Sequence, residues 1–166
     1  MISYRAQLSV TVQYAAAGDD LPARPLLRRW VQAALSAHSA SMTVVLRFVD
    51  EAESRALNRR HRRKDRPTNV LSFVYDDEHG APGGDIVLCA PVLRREAMQQ
   101  GKPFAAHCAH LVVHGMLHLQ DYGHEQAAEA ARMEAHEIAI LAGLGFANPY
   151  AAHPAPATSL SRPARR

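Results

Sequence analysis

Three histidines stand in the pattern H-x-x-x-H-x-x-x-x-x-H: His114, His118 and His124. On a helix, residues i and i+4 lie one above the other, with Cβ atoms about 5–6 Å apart. His114 and His118 can therefore turn two imidazoles toward one point. Gln120-Asp121-Tyr122-Gly123 is poor helix material and suits a turn, which can bring His124 back as a third donor. Three neutral imidazoles with a fourth position open are the ligand set of catalytic zinc, at Zn–N distances of about 2.0–2.1 Å. The bland alternative is that these are ordinary surface or core histidines. The chain has 10 of them, and one i, i+4 pair would say little. The third histidine, placed after a turn, shifts the balance to metal binding. One zinc ion per chain is expected, on His114, His118 and His124.

The ligand positions match the long zinc-protease pattern H-E-x-x-H-x-x-G-x-x-H. The second position does not: Gly115 stands where the protease has its general-base Glu, and Asp121 replaces the turn glycine. Peptide hydrolysis then lacks its proton acceptor, so the metal triad points to another substrate. His107 and His110 share the arc of His114 and His118 but lie up to two turns away from His118. Only neighbours about one turn apart can share a small ion. His107 is read as a surface residue, and His110 as lining the cleft or supporting the ligands from behind.

A second cluster is cationic. Arg55, Arg59, Arg60, Arg62, Arg63, Lys64 and Arg66 crowd a short stretch in which Asp65 is the one acid. Such a run is usually a solvated face. This one is local, ends a helix and leads straight into the turn Pro67-Thr68-Asn69. The planar fork of Arg makes bidentate contacts to phosphate, so an anionic, phosphate-bearing partner is expected there.

The remaining chain must position these groups. Its 166 residues suggest about one domain. At 48% hydrophobic it can build a core, and with 6% aromatics that core should rest on Leu, Val, Ile and Ala. The net charge of +3 hints weakly at an anionic partner. Cys89 and Cys108 do not form a disulfide framework and are read as reduced, in the cytoplasm. No segment has the 18 or more apolar residues of a membrane helix, and the N-terminus does not read as a signal peptide.

Strands are expected at residues 6–14, 42–49, 69–75 and 84–89 from alternation and β-branched content. The last two are joined by a short Gly- and Pro-containing turn, as in a hairpin. Helices are expected at 25–37, from Asp50 as cap to about Arg60, at 90–100 opened by Pro91, at 104–119, and at 125–144. In the helix 104–119, Phe104, Cys108, Leu111, Val112, Gly115, Met116 and Leu119 form one apolar side facing the sheet. The interior Gly115 suggests a close backbone approach. Strands and helices without strict alternation indicate an α+β or mixed α/β domain. The fold expected is α+β: a single domain with a small, mostly four-stranded mixed sheet packed with about five helices, one of them a zincin-like His-motif helix. Residues 1–147 form the domain. Residues 148–166, rich in Pro, Ala and Arg, read as a disordered basic tail.

The segment Leu57-Asn58, Arg62, Lys64-Asp65, Pro67-Thr68-Asn69-Val70-Leu71-Ser72-Phe73, then Gly84-Asp85-Ile86-Val87, His114-Gly-x-Leu-His118-Leu and His124-Glu125 resembles the YbeY family. These are bacterial rRNA-maturation endoribonucleases. The resemblance covers roughly residues 5–146, in the family's order. It implies a single-strand-specific, metal-dependent endoribonuclease acting in 16S rRNA 3′-end maturation and ribosome quality control. It implies zinc on His114, His118 and His124, and a functional Arg that falls on Arg62. Two departures stand out. Asp121-Tyr122-Gly123 exchanges the Gly and Asp of the family's usual Gly-Tyr-Asp before the third ligand, and His61 replaces an aromatic residue.

The chemistry expected is metal-assisted phosphodiester hydrolysis. Arg62 and His114, with a metal-bound water, are the catalytic groups. Arg59, Arg62 and Lys64 bind substrate. The partners expected are single-stranded RNA, including rRNA, and the small ribosomal subunit, with no membrane. The alternatives are a zinc metallopeptidase and a non-enzymatic RNA- or ribosome-binding factor with a structural metal.

Overall fold

The computed structural model describes residues 7–35, 41–76, 82–120 and 127–151. In chain order these form β1 (Gln7–Tyr14), α1 (Arg24–Ala34), β2 (Ser41–Val49), α2 (Glu51–Arg62), β3 (Val70–Asp76), β4 (Pro82–Cys89), α3 (Ala90–Gln99), α4 (Phe104–Leu119) and α5 (Ala127–Gly143). The expected α+β architecture with a four-stranded mixed sheet and five helices is what the chain adopts. The strand order is β1-β2-β4-β3. β1 and β2 run parallel, as do β2 and β4, while β3 pairs antiparallel with β4 as the expected hairpin. The turn His124 depends on lies outside the described residues, and so does most of the tail after residue 148.

Alternation along β4 assigns the two faces of the sheet. Ile86 and Leu88 join a large cluster with Leu27, Trp30, Val44, Leu46, Val112 and Met116, among others. Val87 and Cys89 join Val49 and Leu71 on the opposite face, with Leu57 of α2 and Val92 of α3 packed against them. Cys89 and Cys108 are both buried and unbonded to each other, as expected for thiols.

Two glycines let α4 approach the sheet. A Cβ on Gly115 would meet Ile86 Cγ2 at 2.9 Å and Cδ1 at 3.0 Å. A Cβ on Gly84 would meet Leu119 Cδ2 at 2.4 Å. These contacts bracket the His114–His118 turn of α4 and hold it against β4 and β3. Apart from Phe104, which is half-buried, the apolar side read from the sequence is buried, and so are Ala109, Val113 and Leu117. α4 is thus a core helix rather than a half-exposed one.

α2 starts as expected, with the Asp50 side chain accepting from Glu53 N–H at 2.9 Å. It ends two residues later than expected, at Arg62, with Arg63 in the left-handed region at φ 57°. The loop that follows is tied back to α2 by buried polar side chains. Ser54 Oγ donates to the Thr68 carbonyl and accepts from Thr68 N–H, each at 2.9 Å, and Asn58 Nδ2 donates to the Arg66 carbonyl at 2.8 Å. The His61 ring meets Phe73 of β3 edge-on, with centroids 4.8 Å apart. This contact ties the end of α2 to β3. The helix expected at 25–37 stops at Ala34, and the strand expected from Gly84 begins at Pro82.

Candidate metal centre and its cleft

The end of α2, the start of β3 and the last two turns of α4 enclose a cleft of about 350 Å³. Arg62, Thr68, Asn69, Val70, Leu71, Ser72, His114 and His118 line it. The residues that the sequence placed far apart, Arg62 and the histidine pair, therefore meet. Nε2 of His118 and Nε2 of His114 lie 3.2 Å apart, and their rings are nearly perpendicular at 74°.

Behind this pair is a fully buried carboxylate, Glu137 of α5. Nδ1 of His114 donates to Glu137 Oε1 at 2.6 Å, and Nε2 of His110 donates to Oε2 at 2.9 Å. The Tyr150 hydroxyl donates to the same Oε2. Burial alone would raise the Glu137 carboxyl. The hydrogen bonds from His110, His114 and Tyr150 outweigh it and hold the carboxyl down at about 2. His110, His114 and Glu137 form one group among the described residues whose donor atoms, all within 4.8 Å of one another, could hold a metal ion.

His107 corrects an expectation. It is buried, at 3% exposure, not on the surface. Its Nε2 donates to Glu96 Oε1 of α3 at 2.9 Å, and Glu96 in turn accepts from Asn69 Nδ2 at 3.1 Å. A histidine arc on a helical wheel looks like a solvent face, but α4 is enclosed on nearly every side. His110 lies one turn before His114, with its Nε2 on Glu137.

Of the cationic cluster, Arg62 lines the cleft. Arg59 and Lys64 are exposed. Arg55 forms a bidentate pair with Asp65, at 2.8 and 2.9 Å. Cys108 is buried near Asp20 and Arg94. Burial pushes its thiol up to about 12, and it is not part of the His110, His114 and Glu137 group.

Glu137 and Tyr150 were not singled out in the sequence. A signal for Glu137 exists: Met133, Glu137 and Leu141 follow one another at i, i+4 and i+8, and all three are buried. An acid in the middle of an apolar helical stripe must find donors. Tyr150 falls in the segment read as tail, and no local spacing links it to the site.

A family model described as Endoribonuclease YbeY matches residues 15–145. The chain belongs to the YbeY family. An Endoribonuclease YbeY of Thiobacillus denitrificans is 52% identical over 145 residues, covering 87% of this chain and 97% of that relative. One from Aromatoleum aromaticum is 53% identical over 149 residues, covering 88% and 94%. A solution structure of a Thermotoga maritima protein shares the fold, with a TM-score of 0.54 at 21% identity, covering 85% of this chain and 99% of that one. The YbeY family model spans every described residue of the cleft, and it ends just short of Tyr150. No described helix is long and apolar enough to cross a membrane.

Proposed function

We propose that this chain is a zinc-dependent endoribonuclease that cleaves single-stranded RNA in the cytoplasm, in 16S rRNA 3′-end maturation and ribosome quality control on the small subunit. The membership in a family of endoribonucleases supports the activity. The observation that carries the metal reading is the pair of facing Nε2 atoms. Two donors at about 2.0–2.1 Å from one tetrahedral ion lie roughly 3.3 Å apart, close to the 3.2 Å between His114 and His118. The hydrogen bond from His114 Nδ1 to Glu137 places the proton on Nδ1 and the lone pair on Nε2, toward His118. His124 is the third ligand of this reading. The contacts of Glu137 with His110 and His114, at 2.9 and 2.6 Å, are hydrogen-bond separations. We therefore assign the ion to the Nε2 side of His114 and not to the carboxylate.

A bound zinc ion supplies Lewis-acid polarisation of a phosphoryl oxygen and makes a water molecule acidic near neutral pH. The chain's own residues do the rest. Arg62 enters the same cleft and binds the phosphate, opposing charge that builds on its oxygens. Arg59 and Lys64 draw the RNA backbone toward it. The nucleophile is either water or the RNA 2′-hydroxyl, and the product ends distinguish them: a 2′,3′-cyclic phosphate excludes direct attack by water in the first step.

None of the described residues lining the cleft is a carboxylate, and Gly115 stands where the zinc proteases carry their general-base Glu, which disfavours a peptidase. Assays on a single-stranded oligoribonucleotide and on an unstructured peptide, wild type against Arg62→Ala, test the reading. The expected outcome is RNA cleavage that falls about 10²–10³-fold in the variant, with metal content unchanged. Peptide cleavage that survives Arg62→Ala would overturn it.

A further inference from the structure

The segment after α5 turns back onto the site. Asn148 Oδ1 accepts from Tyr150 N–H at 2.8 Å, and Ala151 N–H donates to the Asn148 carbonyl at 3.3 Å. Pro149 between them has a fixed φ. This short turn places the Tyr150 ring edge-on against His110, with centroids 5.3 Å apart at 82°. The hydroxyl then reaches past His110 to the buried Oε2 of Glu137.

Each oxygen of Glu137 is thereby committed. Oε1 takes the His114 N–H, and Oε2 takes His110 and Tyr150. A carboxylate with no exposure must keep such donors or lose its place. The orientation of His114 follows from that placement, because its Nδ1–H has Glu137 as acceptor.

We infer that Tyr150 and Glu137 are positioning residues that lock His114 in the Nδ1–H tautomer and set metal affinity, so that the first turn of the C-terminal segment belongs to the active site. The inference rests on the reading of His114 as a metal ligand. It asks nothing of the RNA. Partners behind metal-bound histidines typically matter by about 10–100-fold in metal affinity. Glu137 meets His114 directly and should show the full effect. Tyr150 acts through Glu137 and should show less.

The test uses the full chain, stripped of metal and titrated with zinc against a chromophoric chelator. Wild type is compared with Glu137→Gln and with Tyr150→Phe, which keeps the ring on His110 and removes the hydroxyl. Glu137→Gln is expected to weaken zinc binding about 10–100-fold and Tyr150→Phe about 3–10-fold. Nitrogen-15 spectra of the histidine rings give a second readout. The wild type should carry the His114 proton on Nδ1, and Glu137→Gln should shift it toward Nε2. If Glu137→Gln does not fold, Tyr150→Phe decides. Zinc affinity in Tyr150→Phe equal to wild type, or a wild-type His114 proton on Nε2, would overturn the inference. Both readouts are independent of RNA cleavage, so failure of the nuclease reading would be seen separately.

Discussion

His107 shows how one side chain can be misjudged by spacing and still shape the site. It shares the helical arc of His114 and His118, yet its contacts are Glu96 and, through Glu96, Asn69 at the cleft wall. Burial lowers its pKa from the ordinary 6.5. The Glu96 hydrogen bond opposes this only in part, and Lys102 and His110 add to the lowering. In the pH window just below 6.5, the unfolded chain binds a proton at this position and the folded chain does not. The stability from neutral His107 is therefore full above 6.5 and is lost as pH falls through that window. Urea midpoints between about pH 7.5 and about pH 5.5 should drop more for wild type than for His107→Gln. Parallel curves would contradict the assignment. The His114–His118 pair could be picked out because i, i+4 spacing is a local signal; the cationic run marked only a cluster, and the family resemblance singled out Arg62, which lines the same cleft. Glu137 was not legible, because its meeting with His114 spans 23 residues of sequence and depends on how α5 packs on α4.

Among the elements, α4 organises the site. Alternation and caps marked the four strands and five helices found among the described residues to within a few residues of their ends. The sheet order was not legible: nothing local says that β4 inserts between β2 and β3. The interior Gly115 did announce a close approach, and Ile86 is what it approaches. Gly115→Ala gains about 1 kcal/mol of helix propensity. It also drives a methyl into a β-branched side chain with little rotamer freedom, at a cost of about 1–3 kcal/mol. The net is a destabilisation of about 1 kcal/mol, read by denaturant unfolding. Pairing it with Ile86→Val should recover part of the loss. An unchanged or raised stability in Gly115→Ala alone would show that α4 has more room than the contacts indicate.

At the scale of the whole molecule, the buried core is built from apolar side chains other than the cleft histidines. The larger cluster joins β1, β2 and β4 to α1, α3, α4 and α5 through apolar contacts, with Val70 packed between it and the cleft. The cleft is then a rim feature where α2, β3 and α4 meet, and Arg62 reaches it from a separate element from the histidines. This separation lets ligand loss be tested without loss of fold. The deciding measurement is zinc content together with cleavage of a single-stranded oligoribonucleotide, wild type against His118→Ala, with far-ultraviolet circular dichroism as the check on folding. One zinc per wild-type chain, and loss of both metal and cleavage in a folded His118→Ala, is the expected result. A folded variant that has lost its zinc and still cleaves RNA at the wild-type rate would contradict the account.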